Sequence, residues 1–373
     1  MRLVSFLLVI ASLASYVQAG NPLWEISPAT SMASHGSASK RAVSIVPSDD
    51  PHDNAGVRRW PKKTLTYAFS TTDADKKLGR ILEEAKKLWN QLNVEGFQYE
   101  KLELKKCQGR RSECMIIYYN NDGKLLTSVG LQPLDDTFDG PYMHLSDKKD
   151  VGNLNPVVNV AHELGHAWGL WHEHQARKWW GQSGIDEFWG GTLNGETFMT
   201  ADYHPERLKD YESALEKLAE AKGLNSPEEL TQEQIDFLIR DQETAKNYGF
   251  TAVEWMPLKP AGMAADDIFD RNSLMLYPSG AGGKGEVIFD DEGNVVEDKR
   301  LAILTYPDGE RMPVKKTPTG EDVARLLKIY GENYRGVSRL HNDKGSRFKG
   351  LIKKMRSSLS LKAGDTEKDR CGQ

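Results

Sequence analysis

Cysteine is scarce in this chain: three in 373 residues, Cys107, Cys114 and Cys371. None of them stands in a C-x-x-C pair, so zinc ligation by these cysteines is not expected. An excess of charge of one sign is also missing. With 49 basic against 54 acidic residues the formal net charge is −5, so no nucleic acid and no membrane surface is expected as partner. Past the N-terminal stretch no apolar run approaches the roughly 18 residues of a membrane span. No N-x-S/T triplet occurs, so N-linked glycans are not expected, and there is no internal repeat. Histidine is sparse, nine in all, yet His162, His166, His172 and His174 crowd into one stretch. That confinement excludes a metal buffer built from scattered imidazoles.

The N-terminus has the makings of an export signal over residues 1–19. Arg2 supplies the positive start, Leu3 to Leu13 the apolar run, and Val17-Gln18-Ala19 the small cleavage residues. A secreted, extracellular protein is the expectation, and oxidising surroundings favour a Cys107–Cys114 bridge closing the CQGRRSEC segment. Cys371 is then left over, free or paired between chains. Residues 20–59 are rich in Ser, Ala, Pro, Asp and Gly, a composition for a pro-segment or extended arm rather than core. The dibasic pairs Lys40-Arg41 and Arg58-Arg59 are candidate processing sites or, equally, solvated charge.

From Trp60 onward the pattern is globular. Thr64 to Phe69 alternates as a strand, and Asp73 to Leu92 carries Leu78, Ile81, Leu82, Ala85, Leu88 and Trp89 at helical spacing. Tyr99 to Leu104, Met115 to Tyr119 and Leu125 to Leu131 read as strands, with Tyr142 to Leu145 as a short edge strand. A helix follows, capped by Asn155 with Pro156 at its first position. The chain is therefore α+β, with one mixed sheet. Residues 177–270 are polar and mostly helical, with helices expected to end at Gly223 and to begin at Ser226-Pro227. This section carries no assigned chemistry, and a cover or rim over a cleft is its expected place. Thr319 to Asp322 caps a last helix reaching about Tyr330, and a basic, polar tail follows.

The informative stretch is Val157 to Gln175, VVNVAHELGHAWGLWHEHQ. His162 and His166, four apart on a helix, share a face and can reach one Zn²⁺. Gly169 permits the positive φ that ends the helix and lets His172 return as a third ligand. Three protein ligands leave a fourth position open, the condition for catalytic zinc. Glu163 stands where a carboxylate could take a proton from water, as general base. Chance occurrence of the full H-E-x-x-H-x-x-G-x-x-H string in a chain of this length is roughly one in tens of thousands. His174 is expected to be a surface or supporting residue, and Glu173 to orient a buried charge or hydrogen bond near the site. About a hundred residues on, SLMLY offers Met275 for a turn beneath the three histidines.

HELGHAWGLWHEH together with SLMLYP resembles the astacin family of metzincin zinc metalloproteases. Glu173 matches the glutamate that follows the third histidine in that family, and Ser273, Met275 and Tyr277 match its S-x-M-x-Y turn. The resemblance runs from about Arg59 to Gly331, with specific motifs only at the two metal segments. It implies a metzincin-type zincin with a mixed, twisted N-terminal sheet, an active-site helix and a largely irregular or helical C-terminal subdomain. It also implies one Zn²⁺ per chain, protein or peptide substrates, and a Tyr277 hydroxyl that can swing from the metal to the transition-state oxyanion. The expected organisation is a signal (1–19), pro-segment or arm (20–59), catalytic domain (60–335) and tail (336–373). Three features depart from the family: its two usual disulfides do not map, its F-x-G-D latency motif is missing, and the section before the Met-turn is longer. In the family a freed N-terminus reaches the glutamate after the third histidine, which poses the same question for Ala42 and Glu173. The competing reading is a secreted protein that keeps zinc for structure and catalyses nothing; the intact Glu163 speaks against it.

Overall fold

The computed structural model describes residues 57–132, 134, 138–180, 198, 200–258, 263–264 and 269–331, with three short pieces nearer the N-terminus, 25–26, 42–45 and 47. The signal segment, Lys40-Arg41, the tail and Cys371 lie outside the described residues.

A six-stranded sheet carries the N-terminal half. Its strands are β1 (Glu25–Ile26), β3 (Thr64–Phe69), β4 (Gln98–Lys101), β5 (Met115–Tyr119), β6 (Leu125–Thr127) and β7 (Tyr142–Leu145), in the order β1-β6-β7-β5-β3-β4. Only the β6–β7 pair is antiparallel, so the sheet is mixed, as expected. Tyr142–Leu145 is a correction: it lies inside the sheet, between β5 and β6, not at its edge. A four-residue alternation looks the same in either position, because period-2 patterning reports which face is buried and not how many neighbours the strand has.

Two helices cover one face. α1 (Thr72–Leu88) is capped by Thr71, whose hydroxyl accepts from the Ala74 amide at 3.0 Å, and it buries Ala74, Leu78, Leu82 and Ala85. It stops earlier than the apolar spacing predicts, because residues Asn90–Glu95 tighten into 3-10 turns that end at Gly96. α3 (Pro156–Trp168) packs against α1 and β6. The Trp89 indole donates to Ala161 O at 2.8 Å and Trp60 to Ala167 O at 2.7 Å, hooking the helix to its surroundings. On the opposite face of the sheet, Ala68 and Ile116 are covered by α2 (Leu104–Gln108) and the Cys107–Cys114 disulfide, whose Cα atoms are 5.4 Å apart. The bridge is therefore present, but it staples a short helix rather than a hairpin.

The arm does not hang free where it is described. β2 (Ala42–Ile45) pairs with β8 (Met263–Ala264), and Ile45 is fully buried. Arg58 exchanges two backbone hydrogen bonds with Leu131, and the Arg59 guanidinium donates to Ile329 O and Gly331 O. That pair of arginines is thus built into the fold between buried Val57 and Trp60.

In the C-terminal half, α4 (Tyr211–Ala221), α5 (Gln232–Arg240) and α6 (Gln242–Asn247) form a helical group, β9 (Val287–Phe289) and β10 (Val295–Asp298) a hairpin, and α7 (Gly320–Ile329) closes the domain. Ser226-Pro227 starts only a single 3-10 turn. The helix begins at Gln232 instead, because Thr231 and Gln234 form a reciprocal capping box there. α7 has the predicted cap, Thr319 with Asp322. Among the described residues no helix is long and apolar enough to cross a membrane.

One titration follows from the sheet. On β7 the His144 ring stacks on Tyr118 at 4.8 Å, and burial, reinforced by the Lys124 ammonium, pushes its pKa from 6.5 down to about 4. The unfolded chain therefore binds this proton and the folded chain does not. The stability involved is full above pH 6.5 and is lost as pH falls towards 4, about 3 kcal/mol at the limit. Thermal unfolding of the wild type and His144→Phe at pH 7.5 and 4.5 should show the variant losing less on acidification. Equal losses would contradict the assignment.

Candidate metal centre

The site is built on α3 and the turn after it. Asn155 accepts from the Val157 and Val158 amides, at 2.9 and 3.3 Å, and fixes where the helix starts. Val160, Ala161, Leu164 and Trp168 seat it in the core, which leaves the His162–His166 face towards the C-terminal half. The helix ends at Gly169 with φ 109°, where the Ile45 side chain occupies the space that a Cβ would need. Gly130 N donates to His166 O and Ile45 N to Gly169 O, both at 2.9 Å. The turn that carries His172 is thereby held from both sides.

His162, His166 and His172 converge. The Nε2 atom of His166 lies 3.1 Å from that of His162 and 2.9 Å from that of His172. Each Nδ1 faces an oxygen: Leu274 O for His162 at 2.8 Å, Leu170 O for His166 at 2.7 Å, and Gln175 Oε1 for His172 at 2.6 Å. A carbonyl oxygen can only accept, so each Nδ1 carries the hydrogen, and in the neutral ring this leaves the lone pair on Nε2, facing the common centre. Gln175 is oriented in the same way, because its Nε2 donates to Glu254 O at 3.0 Å and leaves Oε1 for His172. Three convergent lone pairs repel one another unless a cation lies among them. Neutral imidazoles with fixed outer partners are what a zinc ion takes, and nitrogens at a tetrahedral zinc stand roughly 3.3 Å apart. The histidine cluster fits zinc.

Glu163 is fully buried beside His162. Tyr277 is buried too, its ring 4.2 Å from that of His172 and 5.9 Å from that of His162. Met275 lies beneath the helix: a Cβ on Gly165 would stand 2.5 Å from its sulfur, so any larger residue there would push the thioether aside. The turn that carries Met275 is anchored by Asp322, which accepts from the Ser273 hydroxyl at 2.6 Å and the Leu274 amide at 2.8 Å. Met275 O in turn accepts from the Glu173 amide at 2.9 Å. The histidine string and SLMLY, about a hundred residues apart in the chain, thus meet through backbone hydrogen bonds.

No protein-family model matches the chain, and no curated protein matches it. Among solved structures, myroilysin aligns over 73% of this chain and 86% of its own, at 12% identity and a TM-score of 0.36. High choriolytic enzyme 1, a hatching-enzyme zinc-protease from the medaka fish Oryzias latipes, aligns over 73% of this chain and 92% of its own, at 11% identity and a TM-score of 0.35.

His174 is not a surface residue. It is fully buried, with Nε2 donating to Glu254 O at 2.9 Å and its ring 4.6 Å from that of Tyr277. Glu173 does meet a buried charge: its carboxylate accepts from both terminal nitrogens of Arg325 and from the Asp270 amide. Burial pushes this carboxyl above its usual range, and the Arg325 guanidinium pulls against that. The partner of Glu173 here is thus an arginine of the last helix. Arg325 escapes motif reading, although an arginine among Val323, Leu326 and Leu327 on an amphipathic helix was a signal available in the sequence. Gln175, Glu254 and Trp255 escaped as well, and nothing in their spacing marks them.

Proposed function

We propose that this chain is a secreted, astacin-like zinc endopeptidase. The observation that supports it most is the convergence of three histidine nitrogens on one point, beside a buried glutamate and tyrosine. His162, His166 and His172 would hold one zinc ion per chain. Bound there, zinc would polarise a substrate carbonyl and lower the pKa of water towards neutrality. Glu163 takes the proton of the attacking water and passes it to the leaving nitrogen. Tyr277 donates its hydroxyl hydrogen to the oxygen on which charge develops. Met275 fills the space beneath the helix and holds the His162 partner, Leu274 O, in register. Export is inferred from the pattern of residues 1–19, and the substrates are proteins or peptides.

Metal content measured with a peptide-library assay tests the reading. The purified protein should carry one zinc per chain, lose peptide hydrolysis on chelation and regain it on adding Zn²⁺. Full activity in the metal-free protein would refute a zinc peptidase. Stoichiometric zinc with no hydrolysis of any denatured protein would favour the structural-zinc alternative.

A further inference from the structure

We infer that Gln175 is a positioning residue for the third zinc ligand, and that the helical section between the two metal motifs is part of the metal-binding unit through it. The inference rests on the zinc reading above and concerns what holds His172 in place. His162 and His166 stand on a helix and take backbone carbonyls as outer partners. His172 stands on no helix and takes a side chain, Gln175 Oε1, at 2.6 Å. Its orientation is therefore only as fixed as that amide.

The amide is fixed from the helical section. Gln175 Nε2 donates to Glu254 O at 3.0 Å, and the same carbonyl accepts from His174 Nε2 at 2.9 Å. The Leu258 amide returns a bond to Gln175 O at 2.9 Å. Gln175, His174 and Glu254 are buried to 0, 0 and 1% exposure, so water cannot substitute for these bonds. The 3-10 turn Thr251–Glu254 that offers the carbonyl is itself held by Asp210 at the start of α4, which accepts from the Thr251 amide at 2.7 Å and its hydroxyl at 2.6 Å. Gln242 of α6 donates to Pro257 O at 2.9 Å. A continuous set of bonds thus runs from the helical group through Glu254 and Gln175 to the imidazole. The amide is suited to this place because it accepts at one end and donates at the other.

Two substitutions separate the ends. Gln175→Met keeps the volume and removes both bonds; Gln175→Glu keeps an acceptor for His172 and removes the donor to Glu254. The full chain is titrated with Zn²⁺ against a competing chelator, and amide exchange over 251–258 is followed with and without Zn²⁺. Outer-partner losses typically weaken metal binding 10- to 100-fold, and that is expected for Gln175→Met, with Gln175→Glu recovering only part of the loss because its acceptor is no longer tied to Glu254 O. In the wild type, Zn²⁺ should slow exchange at Leu258 and its neighbours, and in Gln175→Met it should not. Wild-type affinity in Gln175→Met or in Gln175→Glu overturns the inference, as does Gln175→Glu binding as weakly as Gln175→Met, or exchange over 251–258 that ignores Zn²⁺. A wild-type chain that binds no zinc overturns the zinc reading and this inference with it. Zinc binding without hydrolysis leaves this one standing.

Discussion

Replacing Glu163 by alanine is expected to leave zinc binding intact and to lower peptide hydrolysis by roughly a thousandfold, within the usual range for a lost general acid–base group. Metal binding should survive because other residues supply the converging nitrogens and their outer partners. The convergent nitrogens belong to His162, His166 and His172, and their outer partners are Leu274 O, Leu170 O and Gln175. None of these atoms comes from the glutamate. Hydrolysis should fail because the carboxylate beside His162 is gone, and Glu173, next to the third histidine, is committed to Arg325. Glu163→Gln, of nearly equal volume, separates loss of proton transfer from any collapse of the buried space. Both variants should bind one zinc and show kcat/KM reduced alike. Hydrolysis at the wild-type rate in either would remove Glu163 from the mechanism. Tyr277→Phe, which keeps the ring against His172 and deletes only the hydroxyl, should cost roughly a hundredfold in kcat.

The second large effect concerns stability. The Glu173–Arg325 pair is almost fully buried, with the two side chains 0 and 5% exposed. It joins the residue after the third ligand to the last helix. Arg325→Met would leave the buried Glu173 carboxylate facing the Asp270 amide without its guanidinium, and breaking such a pair from one side costs about 3–5 kcal/mol. For a domain of this size that is a fall in Tm of roughly 10 °C. Replacing both partners, Glu173→Leu with Arg325→Met, removes the stranded charge and should recover most of the loss. Thermal unfolding of the two single variants and the double variant measures the coupling. Single-variant losses that simply add in the double variant would mean that the two groups do not act as a pair.

Much of the N-terminal half was open to reading because its elements are periodic. β3 alternates, α1 and α3 keep a 3.6-residue stripe, and their caps, Thr71 and Asn155, carry side chains that can bond a backbone amide. Reading failed where two local signals compete or where a pattern is degenerate. Pro227 and Thr231 both look like helix starts, and only Thr231 has a partner, Gln234, that can return the bond. YMHL alternates equally well at an edge and in the interior. The arm, polar in composition, still buries Ile45 and Val57, because two residues are enough to cover Gly130 and Gly169.

For the candidate metal centre, the sequence by itself picked out the three histidines that converge. Spacing on one helix places His162 and His166, a glycine returns His172, and the identities of Glu163, Met275 and Tyr277 follow from two short motifs. Their chemistry is local, so it is written locally. Tertiary structure alone decided what holds those donors in place: Leu274 O behind His162, Gln175 and Glu254 behind His172, and Arg325 against Glu173. All of them but Gln175, three residues from His172, arrive from segments about eighty to one hundred and fifty residues away, and two of them are backbone carbonyls. Every residue carries a carbonyl, so no side-chain pattern can announce which one the fold will bring to a histidine.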